Sequence, residues 1–314
     1  MTTLTISGLP IPRLAFGLGS LMTWAPNHTH PLPTDCRAAV HQALAAGFRH
    51  INTGDLYTTN ASAAAVLRSS GRVFVSLKLN TYASLGGTGR EQMLESVGAE
   101  VQRWGGVDAV LLHFPPRGFA GQMSNREAWR VLEGLKGRGV VGVIGVSNWT
   151  LEDYRDIMDA EDLEFPPQLH EYEFNPFLLA DPEFQALRAY EREHGIVPMN
   201  YGILTAVSGR LPPDNSGAAL LAELEHQSQR LQLSPAELLL LWAWHRLDGI
   251  VVTTTSRQDR AIRTVQLLSA EGPSIPEDVF DGIEAAARRD GPEGKIFYRH
   301  PHMEEARRAA AAGV

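Results

Sequence analysis

The chain has 314 residues, 44% of them hydrophobic, with 28 Lys plus Arg against 36 Asp plus Glu for a net charge of −8. That length can hold a large core, and without a basic run the surface is unsuited to nucleic acid or an anionic membrane. Cys36 is the one cysteine, which excludes an intrachain disulfide or a multi-thiolate metal site. No long apolar run marks a membrane span, and no basic segment followed by an apolar core marks a leader, so a cytoplasmic protein is expected.

In chain order, TISGLPIPRLAFGLGS reads as a hairpin turning near Gly8 into a first strand, with Pro10 and Pro12 expected to limit regular pairing. After the loop LMTWAPNHTHPLP, Thr34 is placed to cap a helix whose Ala39, Val40, Ala43 and Leu44 share one face and which Gly47 ends. FRHIN is the next strand, and the polar loop TGDLYTTN leads into a short helix over 60–70. RVFVSLKL has the apolar run of a buried parallel strand. Leu94, Val97, Val101 and Trp104 mark a helical face, and VDAVLLHF is another strand. Ser124 with Glu127 forms a capping box, Gly137 and Gly139 stop that helix, and VVGVIGVS follows. Thr150 opens a helix to about Asp159, PQLHEYEF is a strand, and Asp181-Pro182 starts a helix that His194-Gly195 closes. IVPMNY, a long loop, a helix over 217–231, a helix capped by Ser234-Pro235 with Glu237, and the strand GIVVTT complete the alternation.

Eight strand and helix units without a break in composition predict one closed (β/α)8 TIM barrel over 1–314. The N-terminal hairpin precedes it; a helix capped by Ser274 with Glu277, to about Arg289, and a tail over 291–314 follow it. A doubly wound fold would need GxGxxG after its first strand, and Gly17-Leu18-Gly19 lacks the third glycine.

In such barrels the reacting groups sit at the carboxyl ends of strands. Asn52, Tyr57, Lys78, His113, Ser147, Asn148, Glu171 and Tyr201 all lie at or just after such ends. Singly, each has an ordinary explanation: a strand-end lysine snorkels, and a lone histidine packs. Tyr57, Lys78 and His113, however, come from successive strands. A tyrosine of pKa about 10 donates poorly near neutrality unless an ammonium stabilises its phenolate. Lys78 can supply that charge, and His113 can hold a carbonyl oxygen.

With these motifs in view the chain resembles the aldo-keto reductases over nearly its whole length. INTGDLY matches the family's FDTAxxY, VFVSLKL its lysine strand, LLHFPP its LxHxP, and IGVSNW its IGVSNF. HEYEFNPFL matches its glutamine-bearing strand, and Tyr201-Gly202-Ile203-Leu204 its YSPL. The resemblance implies NADP(H)-dependent reduction of a carbonyl, or of a related C=N or C=C group, on a small organic substrate. It makes Tyr57 the acid, Lys78 its tuning charge and His113 the orienting group. Ser147, Asn148 and Glu171 would meet the carboxamide and Tyr201 the nicotinamide ring, with Gly19, Ser20, Gly202 and Leu204 beside the cofactor. In TTTSRQDR, Ser256 is placed as a helix N-cap with Asp259 three residues on, and Arg257 and Arg260 stand in the first turn. Such a helix start suits a phosphate. With Thr255 it forms the loop where the family holds the 2′-phosphate, although the family's lysine is Thr254 here; NADP(H) is expected over NAD(H).

Two departures stand out. The family's aspartate is Asn52, which can accept from Lys78 but cannot offset its charge, so the lysine pKa is expected to fall unless Asp55 compensates. The family's glutamine is Glu171, which can accept from a carboxamide NH2 but cannot donate. These changes leave open a non-redox isomerase or cyclase, or a cofactor-binding protein with little turnover. Trp24, Phe114, Trp149, Phe297 and Tyr298 are candidates for the substrate wall. His28, His30, His300 and His302 lack a carboxylate at ligand spacing, so no metal is expected. The expected partner is a small molecule, and the expected state a monomer or weak homo-oligomer.

Overall fold

Why each strand forms and which way its side chains point follow from one pattern: short β-branched and leucine runs buried on both faces, as parallel barrel strands require. A computed structural model describes residues 2–24, 31–81, 89–116, 123–209 and 217–290; the side chains of Trp24 and Pro31 lie outside that description.

The elements run β1 (Thr3–Ile6), β2 (Leu9–Pro12), β3 (Leu14–Gly17), β4 (Thr23–Trp24), β5 (Pro31–Leu32), α1 (Arg37–Ala46), β6 (His50–Gly54), α2 (Asn60–Leu67), β7 (Phe74–Leu79), α3 (Arg90–Trp104) and β8 (Ala109–Leu112). They continue with α4 (Asn125–Gly137), β9 (Val143–Ser147), α5 (Leu151–Met158), β10 (Leu169–Glu173), α6 (Pro182–Glu193), β11 (Val197–Tyr201), α7 (Ala218–Leu231), α8 (Pro235–Arg246), β12 (Ile250–Thr253), α9 (Gln258–Leu267) and α10 (Glu277–Asp290). Strands β3 and β6 to β12 close into a parallel barrel, with β12 pairing back onto β3 through Val251↔Leu14 and Thr253↔Phe16. This is the (β/α)8 barrel expected from the sequence. No helix among the described residues is long and apolar enough to cross a membrane.

Two apolar layers show the strand alternation. Leu14, Phe16, Ile51, Val75, Leu77, Leu79, Ile144 and Val146 face the helices. Ala15, Phe74, Ala109, Leu111, Val143, Leu169, Met199, Ile250 and Val252 fill the interior together with Ile6 and Ile11 of the hairpin. The hairpin therefore plugs the amino-terminal end of the barrel. Leu9 of the hairpin packs its side-chain end against Gly142, where a Cβ would require it to shift. Contrary to expectation, Pro10 and Pro12 pair in regular register with Thr5 and Thr3. Arg13 N–H donates to Thr2 O, so the bonding positions of β2 are the odd ones and the prolines fall where no N–H is required.

The caps expected at Ser124 and Ser234 form as capping boxes, Thr150 opens α5 as expected and does so through a capping box with Asp153, and Asp181 caps α6. Three expected caps do not. Thr34 instead ties the β4–β5 turn through Thr23 and Leu32, and α1 starts after Cys36. Helix α9 starts after Arg257 without a side-chain cap from Ser256. Helix α10 starts at Glu277, beyond the turn that Ser274 would have capped.

Candidate active site

Counting upward by twos from the apolar layer puts the carboxyl-end polar residues inside the barrel. Phe74 leads to Ser76 and Lys78, Leu169 to Glu171 and Glu173, Val143 to Ser147, and Met199 to Tyr201. Register sets His50 beside Phe74 and Asn52 beside Ser76.

Lys78, Glu171 and Asn52 meet in the middle, at 2%, 2% and 3% exposure. The Lys78 Nζ donates to Glu171 Oε1 at 2.9 Å and Oε2 at 3.0 Å, and to Asn52 Oδ1 at 2.9 Å. Asn52 Nδ2 donates to Glu171 Oε2 at 2.7 Å and to Ser76 Oγ at 3.3 Å. Burial acts to lower the Lys78 pKa, yet the Glu171 charge and then Tyr57 hold it above the ordinary lysine value. The expected fall therefore does not occur, because the counter-charge comes from β10.

Asp55 is not that counter-charge. It accepts from Asn80 N at 3.0 Å and Ser96 Oγ at 2.8 Å, which orders the loop after β6, and burial pushes its pKa up.

Tyr57 lies over this pair, its ring 5.6 Å from Lys78 Nζ and 6.0 Å, edge-on, from the His113 ring. Two glycines make the space: a Cβ on Gly19 would come within 3.0 Å of the Tyr57 hydroxyl, and one on Gly54 within 3.0 Å of its ring. Burial raises the phenol's pKa, and Lys78 partly offsets this. His113 stacks on Phe114 at 4.5 Å.

Beside them Asn148 sits in the left-handed region at φ 60°, which asparagine tolerates better than most residues. Its Nδ2 donates to His113 O and Ser147 Oγ, each at 3.0 Å, and its Oδ1 accepts from Tyr201 Oη at 2.7 Å. Three strand ends are thus fixed to one another. Half-buried Tyr57 beside buried Lys78 and His113 makes an acid with a charged supporter and a hydrogen-bonding imidazole.

A sequence model of the Aldo/keto reductase family matches residues 13–287. The chain belongs to this family. It is 27% identical over 290 residues to an aldo-keto reductase of Mycolicibacterium vanbaalenii, covering 90% of this chain and 92% of that protein. It is 25% identical over 262 residues to a protein of Schizosaccharomyces pombe named as an NAD/NADP-dependent indole-3-acetaldehyde reductase, covering 81% and 84%. The crystal structure of an aldo/keto reductase from Brucella melitensis shares the fold with a TM-score of 0.69 at 23% identity, over 91% of this chain and 100% of that one.

For an oxidoreductase of this family the remaining expected site residues divide. Gly19 and exposed Ser20 form the turn over Tyr57, and Gly202, at φ 73°, hugs the Glu173 side chain. Leu204 is half-buried in the turn after Gly202. Thr255 Oγ1 accepts from Arg257 N, while the Arg257 guanidinium pairs with Asp259 at 2.6 Å. Ser256 and Arg260 are exposed at the start of α9. Trp149, expected on the substrate wall, packs instead in the core against Tyr154, at 2% exposure. Its backbone N–H donates to His170 Nε2, which turns the residue inward. The Trp24 side chain, the loop carrying His28 and His30, and the tail with Phe297, Tyr298, His300 and His302 lie outside the described residues.

Sequence reasoning missed three residues. His50 and Ser76 brace Asn52 from below, and strand alternation places both inward. Glu173 is buried with Oε2 unpartnered among the described residues, and burial raises its pKa to about 8, against the hydrogen bonds from Thr205 and Asn175.

Proposed function

We propose that this aldo/keto reductase uses NADPH to reduce a carbonyl, or a related C=N or C=C group, of a small organic substrate, with Tyr57 as proton donor. One observation carries the reading: the Lys78 ammonium, charged and held by Glu171, lies against the Tyr57 ring at 5.6 Å. The readings as an isomerase, cyclase or sensor rested on an ammonium short of a counter-charge, and Lys78 has one.

The residues present fit a nicotinamide cofactor. Ser147, Asn148 and Tyr201 offer hydroxyl and amide groups at adjacent strand ends. At the end of β12, Thr254 Oγ1 is buried without a partner among the described residues, as a phosphate or ribose contact would require. Arg260 carries the preference for NADPH, because its guanidinium is exposed at the start of α9 and makes no ion pair among the described residues.

When bound, the reduced nicotinamide supplies a hydride to the electrophilic carbon. His113 orients the substrate oxygen toward Tyr57, and Tyr57 Oη delivers its proton to that oxygen. The phenolate left behind is stabilised by Lys78, which Glu171 and Asn52 hold in place. Because burial keeps the phenol protonated, Tyr57 enters each cycle as an acid.

Tyr57→Phe is expected to abolish consumption of reduced cofactor with an aldehyde panel while leaving cofactor binding, followed by fluorescence titration, nearly unchanged. Retained turnover in that variant would sink the assignment.

A further inference from the structure

The hydrogen bonds beneath Lys78 have a direction. The Pro12 carbonyl can only accept, so the His50 Nδ1 at 3.1 Å carries a proton. Burial lowers the His50 pKa to about 4, against that hydrogen bond, so the ring is neutral and its Nε2 accepts. The Ser76 hydroxyl at 2.9 Å then donates to Nε2, which leaves the Ser76 oxygen to accept from Asn52 Nδ2. The second N–H of that amide goes to Glu171 Oε2, and its oxygen faces Lys78. Position 52 is therefore set up for a neutral group with two protons to give, and position 171 for an anion that takes them. A carboxylate at 52 would face Glu171 Oε2 and a serine lone pair with nothing to donate.

We propose that Glu171, reaching from β10 across the barrel interior to β7, is the positioning residue that holds the Lys78 ammonium against Tyr57. Asn52 serves as the neutral spacer between the two strands. This rests on the reductase reading only for its consequence on catalysis; the claim about Lys78 stands on the geometry alone. Glu171 hydrogen-bonds Lys78 and Asn52, and its positioning of Tyr57 runs through the lysine, although its charge also raises the phenol's pKa directly. Its two oxygens are committed to Lys78 and Asn52, so it is withdrawn from the carboxamide contact that its place in the strand implies.

The side chains at 52 and 171 can be exchanged in kind without changing the number of groups or the summed charge of the two positions. In Asn52→Asp with Glu171→Gln, an aspartate at 52 accepts from Lys78 and a glutamine amide at 171 donates to the aspartate. The Ser76 hydroxyl must then turn to the aspartate, and His50 keeps its bond only by taking a proton. Recovery is therefore expected to be partial.

The experiment compares the natural protein, Glu171→Gln, Asn52→Asp and the double exchange. It has three readouts: the Lys78 titration midpoint by carbon-13 NMR of labelled lysine, assigned with Lys78→Arg; kcat and KM with an aldehyde panel; and cofactor affinity. Glu171→Gln should lower the Lys78 midpoint and cut kcat at least tenfold, with a smaller change in cofactor affinity. Asn52→Asp should give no gain, and the double exchange should raise both the midpoint and kcat above Glu171→Gln. If Glu171→Gln does not fold, a folded double exchange with a raised Lys78 midpoint supports the proposal, and an unfolded one overturns it. An unchanged Lys78 midpoint in Glu171→Gln, or a double exchange no better than that variant, also overturns it. Should the natural protein reduce no carbonyl in the panel, the reductase reading fails, while the Lys78 midpoint still decides the role of Glu171.

Discussion

The two ends of this barrel use burial in opposite ways. At the amino-terminal end the hairpin inserts Ile6 and Ile11 into a largely apolar layer, and Arg13 lies over Trp244 while donating to the carbonyls of Trp244, Leu247 and Gly249. At the carboxyl end, one or two inward positions higher on the strands and in the loop after β6, the site holds a buried ammonium, a buried carboxylate and a phenol. Burying an ion pair is weak evidence of stabilisation, since desolvation opposes the attraction. A pair placed there, where an apolar layer would pack as well, points to chemistry at that end and scaffold at the other.

The sharpest way to break the comparison is to remove the acid. Tyr57→Phe should lower kcat by roughly 10²–10⁴, the usual contribution of a general acid, with the melting temperature held. Lys78→Met comes next: it leaves Glu171 as a buried carboxylate without its cation. A loss of about 3–5 kcal/mol in urea unfolding is expected, along with loss of turnover. At the other end, Ile11→Ala should cost about 2–4 kcal/mol of stability while kcat stays within about twofold. A large fall in kcat there would show that the ends are not separate.

The pH dependence sharpens the contrast. Glu173 has a folded pKa raised to about 8 by burial, so its stabilising contribution is present below the ordinary carboxylate range and is lost as pH rises through about 8. Glu173→Gln should flatten that decline in thermal melts. His50 has a folded pKa lowered to about 4, so its contribution is present above the ordinary histidine range and is lost as pH falls through about 4. The smallest expected effect is at the rim: Arg260→Ala should raise the KM for NADPH by about 5–10-fold, in keeping with one charged phosphate contact, and leave that for NADH unchanged.

Much of this was legible in the sequence. Strand alternation, the caps at Ser124 and Ser234 and the helix start at Thr150 set the barrel, and the strand-end positions gathered Tyr57, Lys78, His113, Asn148 and Tyr201. Asn52, by itself, misled, because a missing carboxylate was sought nearby in the chain at Asp55. The replacement lies 93 residues from Lys78, on a strand three places round the barrel. Its signal was there: Lys78 and Glu171 are opposite charges at inward positions of largely apolar strands, and neither makes another ion pair among the described residues. The cap at Thr34 was misread because its hydroxyl is taken up by Thr23 and Leu32, outside the helix, which local patterns do not encode.

The most direct test follows the loss of reduced-nicotinamide absorbance with reactive aldehydes and ketones, for the natural protein beside Asn52→Asp. With Lys78 already held by Glu171, the natural protein should turn over and Asn52→Asp should be no faster. Turnover by Asn52→Asp alone would contradict the account, since it would mean that Glu171 does not supply the charge that Tyr57 and Lys78 need.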